Sequence, residues 1–113
     1  MSEKDRLNIV SILDSIEKLN HYSKPFNNAD EFYKHQMEFD AAMMNFIIIG
    51  EMVARLSDEF LNTYNHIAWF KIRGFRNIVA HDYFGIDAEE VWQIIKTHIP
   101  NLEKELKIIL DNK

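Results

Sequence analysis

The sequence predicts an all-α fold, an up-and-down bundle of four or five helices in a single domain covering residues 1–113. Three glycines and two prolines leave long uninterrupted segments and no place for a series of hairpins. Apolar residues recur at spacings of three and four along most of the chain, as they do on one face of a helix. With 113 residues and 47% hydrophobic positions, the chain has enough apolar surface for one core and is too apolar to be disordered.

The first helix is predicted to run from about Asp5 to Tyr22. Its isoleucines and leucines repeat at helical spacing over this stretch, which marks one buried face. Pro25 follows soon after and disfavours helical geometry in the residue before it. The helix is therefore expected to end at residues 23–25.

The second helical segment is predicted to be the longest. Asn28 or Asp30 can cap its start, and its apolar period continues well past Leu56. Gly50 lies on the apolar face of this segment. A residue without a Cβ at that position would let a neighbouring helix approach closely.

The second half of the chain is predicted to hold two or three more helices. Residues 62–66 are interpreted as a loop, and residues 67–84 have a helical pattern that Gly74 can break or bend. Asp87 is a candidate N-cap for the next helix. Pro100 is expected to interrupt or restart that helix before the chain ends.

Composition excludes several classes of protein. The absence of cysteine excludes disulfide scaffolds and cysteine-ligated metal sites. The longest apolar stretch, residues 41–50, is well below the roughly 18 residues that a membrane span requires. The charged first residues are not typical of a signal peptide. A soluble cytoplasmic protein without a membrane partner is expected.

The charge of the chain is unevenly distributed. A net charge of −5 argues at first against nucleic acid as a partner. Between Phe60 and His81, however, there is no Asp or Glu, and Lys71, Arg73 and Arg76 give this window a charge of +3. The rest of the chain carries −8. Contact with a polyanion should therefore be confined to this one window, with a shallow dependence on salt.

Polar residues in the basic window form a candidate site. On a regular helix, Arg73, Asn77 and His81 form one row, and Arg76 stands beside it. A guanidinium offers a planar fork of donors to a phosphate, and an imidazole can move a proton near neutral pH. The same residues also fit a structural role, because basic groups near a helix C-terminus are favoured by the helix dipole. The spacing leaves both readings open.

The run from Arg76 to Tyr83, Arg-Asn-Ile-Val-Ala-His-Asp-Tyr, resembles the signature of the HEPN ribonucleases, in which Arg and a polar residue precede a His. The tyrosine that follows makes the run similar to the HepT-like branch. That branch is the toxin half of a toxin–antitoxin pair whose other half is a minimal nucleotidyltransferase of MntA type. Residues 41–56, 67–73, 84–87 and 91–92 are also laid out as in that family.

The resemblance implies a homodimer of helical bundles and an endoribonuclease that acts on RNA without a metal or other cofactor. Carried over by position, Arg76 and His81 are the catalytic pair, and Asn77 is the polar residue that helps hold them. Arg73, which shares a row with Asn77 and His81 on a regular helix, is a further supporting residue. Tyr83 is the residue that the MntA-type partner modifies with AMP, which would block RNA binding. The alternative function is a catalytically silent HEPN module that serves as the partner or nucleotide-binding subunit of a nucleotidyltransferase.

The spacing of the catalytic pair raises a geometric question. Residues five apart on a regular helix point about 140° away from each other. Either the turn around His81 is distorted, or the site is composite, with the arginines of two subunits on either side of paired histidines. The composite site is the preferred hypothesis, because twofold symmetry also brings the two basic windows together.

Three further features have open interpretations. Glu51 either faces solvent or is an internal partner for Arg73 or Arg76. Trp69, Phe70 and Phe75 could stack on unpaired bases, although burial is the more frequent fate of aromatic residues. His98 is interpreted as an isolated surface or capping residue.

Overall fold

The computed structural model describes residues 1–80 and 85–111, and over these residues its regular elements are helices, with no strand. The molecule measures 41 × 26 × 21 Å. The elements are α1 (Glu3–Ser23), α2 (Ala29–Lys34), α3 (Gln36–Ala54), α4 (Asp58–Thr63), α5 (Trp69–Arg73), α6 (Phe75–Ala80), α7 (Ala88–Gln93), a π-helical turn (Ile94–His98) and α8 (Ile99–Asp111). The long helical segments of the described residues are α1, α3 and the continuous run from α7 through α8, and α2, α4, α5 and α6 are short. The predicted all-α class is confirmed.

Helix α1 forms as the sequence predicts. The Ser2 side chain caps its first turn by accepting a hydrogen bond from the backbone N–H of Asp5 at 3.0 Å. The helix ends at Ser23, two residues before Pro25. Its inner face is completely buried and consists of Ile9, Ile12, Ile16 and Leu19.

The second segment is not one long helix, and that prediction is wrong. His35 has φ −91° and ψ 81°, which divides the segment into α2 and α3. The break lets α2 pack against α7 while α3 packs against α1. Helix α3 ends at Ala54 rather than past Leu56, so its 19 residues are fewer than the 21 of α1. Of the two candidate caps, Asn28 is the one used, accepting from the backbone N–H of Glu31 at 2.9 Å.

The predicted loop at residues 62–66 is partly helical. Ser57 caps the start of helix α4 by accepting from the backbone N–H of Phe60 at 3.1 Å, and the helix continues to Thr63. Gly74 separates α5 from α6, which confirms the predicted break. Both of these helices are short, with five and six residues respectively.

The last helix starts where predicted but is not interrupted at Pro100. The Asp87 carboxylate accepts hydrogen bonds from the backbone N–H groups of Glu89 and Glu90 and so caps α7. Pro100 has no N–H to donate. The π-helical turn just before it widens the helix, and the N–H of Ile99 bonds to the carbonyl of Ile94. The chain therefore continues without a gap from α7 into α8.

Helix α3 is the centre of the packing. One side contacts α1 along most of its length, and an adjacent side contacts α5 and α6. Gly50 makes the second contact possible, since a Cβ there would lie 2.9 Å from the carbonyl oxygen of Arg73 and 3.1 Å from the Cβ of Arg76. The predicted close approach of a neighbouring helix is confirmed. It fixes α6, and with it Arg76, against α3.

Within the described parts of the chain, none of the helices combines the length and the apolar character needed to cross a membrane.

Candidate functional site

Arg76 forms an ion pair with Glu51 across the contact between α6 and α3. Its Nη1 donates to Oε1 of Glu51 at 2.8 Å, and both side chains are partly exposed. Because Gly50 precedes Glu51 directly, the absence of a Cβ at one residue brings the next within reach of the guanidinium. Of the alternatives for Glu51, pairing with Arg76 is therefore correct. Among the described residues, Glu51 is the side chain that accepts from this guanidinium, which carries five N–H donors in all.

A cavity of about 820 Å³ opens beside this pair. One wall is built by the end of the α4–α5 connection, α5 and the start of α6, and the opposite wall by α7 and the π-helical turn. The first wall carries Lys71, Arg73, Arg76 and Asn77, and the second contributes Glu90, Ile94 and His98. Three cations thus line one side of a single opening, as the charge pattern of the sequence predicts.

The three aromatic residues nearest to the cations in the sequence, Trp69, Phe70 and Phe75, have different environments. Trp69 is buried and donates its indole N–H to the carbonyl oxygen of Tyr64 at 3.0 Å. Phe75 is also buried and packs edge-to-face on Phe46, with ring centroids 5.3 Å apart. Phe70 is 88% exposed and lines the cavity. Burial is therefore correct for the first two residues and wrong for the third.

The structure brings together three of the predicted site residues. Arg73 and Asn77 are exposed and line the same cavity as Arg76. His81 and Tyr83 lie outside the described residues, so their assigned roles stay predictions. His98, interpreted as an isolated surface or capping residue, is exposed as predicted, and in addition it lines this cavity.

A signal for His98 was present in the sequence. Glu90, Ile94 and His98 are four residues apart and so follow one side of a helix. The spacing does not show which other helices this side of the helix faces. Only the tertiary packing shows that it faces α5 and α6 across the cavity.

Two titratable groups with clearly shifted pKa values lie elsewhere in the described chain. Burial lowers the pKa of Lys96, whose ammonium lies 4.6 Å from the centre of the Trp92 ring. Burial by itself would raise the pKa of Asp5, but hydrogen bonds from the side chain and backbone of Ser57 and from Ser2 outweigh it, and the pKa is lowered. Neither group lines the cavity. In the described ranges, no three His, Asp or Glu side chains are grouped so that they could hold a metal ion.

The sequence matches the model of a known family over nearly its whole length. That family is described as ribonuclease HepT-like, and the match covers residues 12–109. The chain belongs to the ribonuclease HepT-like family. Membership confirms the resemblance seen in residues 76–83 at the level of the family, and it confirms the predicted class of enzyme, an endoribonuclease.

Curated relatives of this HepT-like chain have matching descriptions. A "Gamma-glutamylcyclotransferase and putative RNase" of Methanocaldococcus jannaschii is 36% identical over 100 residues, which are 88% of this chain and 45% of that protein. A "Putative RNase" of the same organism is 31% identical over 110 residues, 96% of this chain and 100% of the relative. A "Probable ribonuclease HepT" of Thermococcus cleftensis is 28% identical over 102 residues, 90% of each chain.

The chain therefore spans less than half of the first of these relatives and the full length of the second. No solved structure matches this chain.

Proposed function

We propose that this HepT-like protein is a metal-independent endoribonuclease that acts as a homodimer, with Arg76 and His81 as its catalytic pair. The observation that carries the proposal is the position of Arg76. Its guanidinium is held by Glu51 at the edge of a cavity whose wall also carries Arg73 and Lys71. Such a wall suits the phosphates of a bound RNA strand, since guanidinium groups bind phosphate oxygens with two parallel hydrogen bonds.

The proposed reaction uses the 2′-hydroxyl of the RNA as its nucleophile. The 2′-oxygen attacks the adjacent phosphorus and gives up its proton to a base, while the bond from phosphorus to the 5′-oxygen breaks and that oxygen takes up a proton. The products are a 2′,3′-cyclic phosphate and a 5′-hydroxyl. His81 transfers a proton in this step, and Arg76 stabilises the negative charge that builds up on the phosphate oxygens. The nucleophile is already held next to the phosphorus, so positioning supplies much of the catalysis.

The outer face of α3 supports the homodimer. Met37 is 81% and Met44 is 56% exposed, and the partly buried residues Ala41 and Ile48 lie between and beyond them on the same side of the helix. The inner face of the same helix is the core, so α3 is apolar on both sides. A helix that is apolar all round is typical of a buried position. We propose that the α3 helix of a second copy covers this face.

The apolar outer face of α3 leads directly to the candidate site. Glu51 lies seven residues after Met44, on the same side of the helix, and it is the residue that holds Arg76. A dimer formed through this face would therefore have an Arg76 from each copy at its border. In this arrangement the 140° between Arg76 and His81 is no obstacle, because each catalytic centre combines residues of both subunits.

The dimer is tested by Met44→Asp, which puts a charge in the centre of the proposed contact. We expect the molecular mass from light scattering to fall from that of a dimer to that of a monomer, with loss of RNA cleavage. The control is Ile108→Asp on α8, which is also exposed but lies on another surface. A monomeric wild type, or a dimer that tolerates Met44→Asp, would contradict this interface.

The ribonuclease activity is tested by cleavage of RNA in the presence of EDTA. We expect the wild type to cut with chelator present, and Arg76→Ala to lose about 100- to 1,000-fold in rate, the usual effect of removing a group that stabilises transition-state charge. Arg55→Ala is the matched control, since Arg55 is an exposed arginine that does not line the cavity. Loss of wild-type cleavage in EDTA, or equal activity of the two variants, would refute the mechanism.

The proposal includes regulation by an MntA-type nucleotidyltransferase, with this chain as the toxin in the cytoplasm and Tyr83 as the site of AMP addition. Tyr83 is two residues from His81 in the sequence. An added adenylyl group carries a negative phosphate that could pair with Arg73 or Arg76 and compete with RNA. Modification would thus turn the enzyme off.

Intact mass measured after incubation with the nucleotidyltransferase and ATP tests this regulation. We expect the wild type to gain the mass of AMP and lose cleavage, and Tyr83→Phe to gain nothing. If the Tyr83→Phe protein still gains AMP on the same peptide, the assignment is wrong. A wild type that is modified but never cuts RNA would favour the alternative, a silent partner of the nucleotidyltransferase.

A further inference from the structure

Phe70 is an aromatic side chain held out of the core by the helix that carries it. Its neighbours on α5, Trp69 and Ile72, are buried at 8% and 7% exposure, whereas Phe70 is 88% exposed. The buried indole is fixed by its hydrogen bond to the Tyr64 carbonyl, so α5 cannot rotate to bury Phe70 without breaking that bond. The exposure of Phe70 is therefore set by the packing of α5.

The ring of Phe70 lines the same cavity as three cations. Within the described residues it makes no ring-to-ring contact, although ten other aromatic pairs do. Lys71 follows it directly, and it lines the same cavity as Arg73 and Arg76. An aromatic face beside a row of cations is the combination that proteins use to bind single-stranded nucleic acid, with phosphates on the cations and a base stacked on the ring.

Resting on the proposed function, we propose that Phe70 is a stacking platform for an unpaired base of the RNA strand whose phosphate is bound by Arg76. Phe70 then determines the class of substrate, because only an unpaired base can leave its neighbours and lie on an aromatic side chain. Single-stranded RNA is bound with both a phosphate and a base contact. A duplex offers only its phosphates.

The charges around Phe70 favour a nucleic acid over a protein as the occupant. An apolar protein surface placed on the ring would remove Lys71 and Arg73 from water without providing acceptors for them. An RNA strand supplies both partners at once, since each nucleotide joins an anionic phosphate to a flat base. The basic window also contains no Asp or Glu that would repel the strand.

The test is a double comparison of binding, in which the base is removed from the RNA and the ring from the protein. The probe is a fluorescein-labelled single-stranded oligonucleotide with 2′-O-methyl groups on every ribose, which cannot be cleaved by the 2′-hydroxyl mechanism. A second probe has the same backbone with abasic positions. Fluorescence anisotropy gives Kd for both with the wild type, Phe70→Ala, Phe70→Trp and, as an exposed apolar control on α8, Ile108→Ala.

We expect Phe70→Ala to weaken binding of the probe with bases by roughly 5- to 100-fold, the usual range for one base on an aromatic residue. Binding of the abasic probe should not change, and Phe70→Trp should keep the affinity for bases. Ile108→Ala should resemble the wild type with both probes. A duplex of the same sequence should bind Phe70→Ala and wild type equally.

Three outcomes would overturn the assignment. Phe70→Ala could bind both probes as the wild type does, or it could weaken both equally, which would exclude a contact specific to the base. It could also change the molecular mass of the complex in light scattering while RNA binding stays intact, which would make Phe70 part of a protein interface. These results are separate from cleavage in EDTA, so a failed stacking contact leaves the ribonuclease proposal standing, and the reverse also holds.

Discussion

The two sides of α3 differ in how completely they are closed. On the α1 side, the closed side, four residues have 0% exposure: Ile9, Ile12, Ile16 and Leu19. On the α5–α6 side, the open side, the buried residues Trp69, Ile72, Phe75 and Val79 keep 7–8% exposure each. The helices of the open side have only five or six residues, and Gly74 separates them. Stability is concentrated on the first side, which leaves the second free to carry an open cavity, a partly exposed ion pair and an unpacked aromatic ring.

The largest expected change in stability comes from truncating a buried side chain on the closed side. Ile12→Ala should lower the free energy of unfolding by about 2–5 kcal/mol, because it leaves a cavity in a tightly packed core. Urea denaturation measures the difference. Leu7→Ala on the same helix is the control, since Leu7 is 53% exposed and should change stability by less than about 0.5 kcal/mol. Similar losses in the two variants would show that α1 is not packed as described.

The next effect concerns the anchor between α1 and the start of α4. The buried Asp5 accepts from the backbone N–H of Ser57 at 2.9 Å and from its hydroxyl at 2.6 Å. Asp5→Ala should cost about 1.5–3 kcal/mol at pH 7, because hydrogen bonds to a charged group are lost. Denaturation at neutral pH, compared with Asp14→Ala on the exposed face of α1, measures this cost.

The contribution of Asp5 should also depend on pH in a defined direction. Its pKa in the folded protein lies below the ordinary value of 3.8, so the charged form stabilises the fold at pH values above 3.8. That contribution should disappear as the pH falls from 3.8 through the lower folded-state pKa. Denaturation of the wild type and Asp5→Ala across this range should show their difference shrinking on acidification. A difference that stays constant would mean that the carboxylate is not the stabilising group.

A smaller effect should follow from adding a Cβ where α3 contacts the α5–α6 segment on the open side. Gly50→Ala places a Cβ 2.9 Å from a backbone oxygen, which must move. Overpacking costs about 1–3 kcal/mol, and about 1 kcal/mol is regained from helix propensity. Thermal unfolding should show the small net loss, and RNA cleavage should fall further because α6 shifts with Arg76. Unchanged cleavage in Gly50→Ala would show that this contact does not position Arg76 for the reaction.

The smallest effect is expected for the ion pair on the open side. Glu51→Gln should change the free energy of unfolding by less than about 1 kcal/mol, because both partners are partly exposed to water. The difference should decrease further in high salt, where such a pair is screened. Denaturation at two ionic strengths checks this. A loss as large as that of Ile12→Ala would mean that the open side contributes to stability as the closed side does.

Local signals in the sequence predicted α1 on the closed side and two features beyond it. The spacing of Ile12 and its neighbours identified α1, Gly50 indicated the close helix contact, and Asp87 marked the start of α7. These features depend on residues within one or two turns of each other. The division of the second helix at His35 was missed, because it lets α2 reach α7, and that requirement is tertiary.

The open side was predictable in charge but not in geometry. The basic window correctly located Arg73 and Arg76 on one cavity wall. Helical spacing could not show that Phe70 would face outward, since α5 is too short for a period to identify its buried face. The sequence could not show that His98 lines the cavity, because the residues of the facing wall, Ala68 to Ile78, lie 20 or more residues before it.

We propose that the open side forms one half of a site shared by two copies. The most direct measurement is RNA cleavage in EDTA by a mixture of two inactive proteins, Arg76→Ala and His81→Ala, allowed to exchange subunits. A composite site predicts that activity returns in the mixture, because the mixed dimer has one centre in which both the arginine and the histidine are intact. If each variant is inactive alone and the exchanged mixture stays inactive, the two residues do not act across the dimer, which contradicts the composite site.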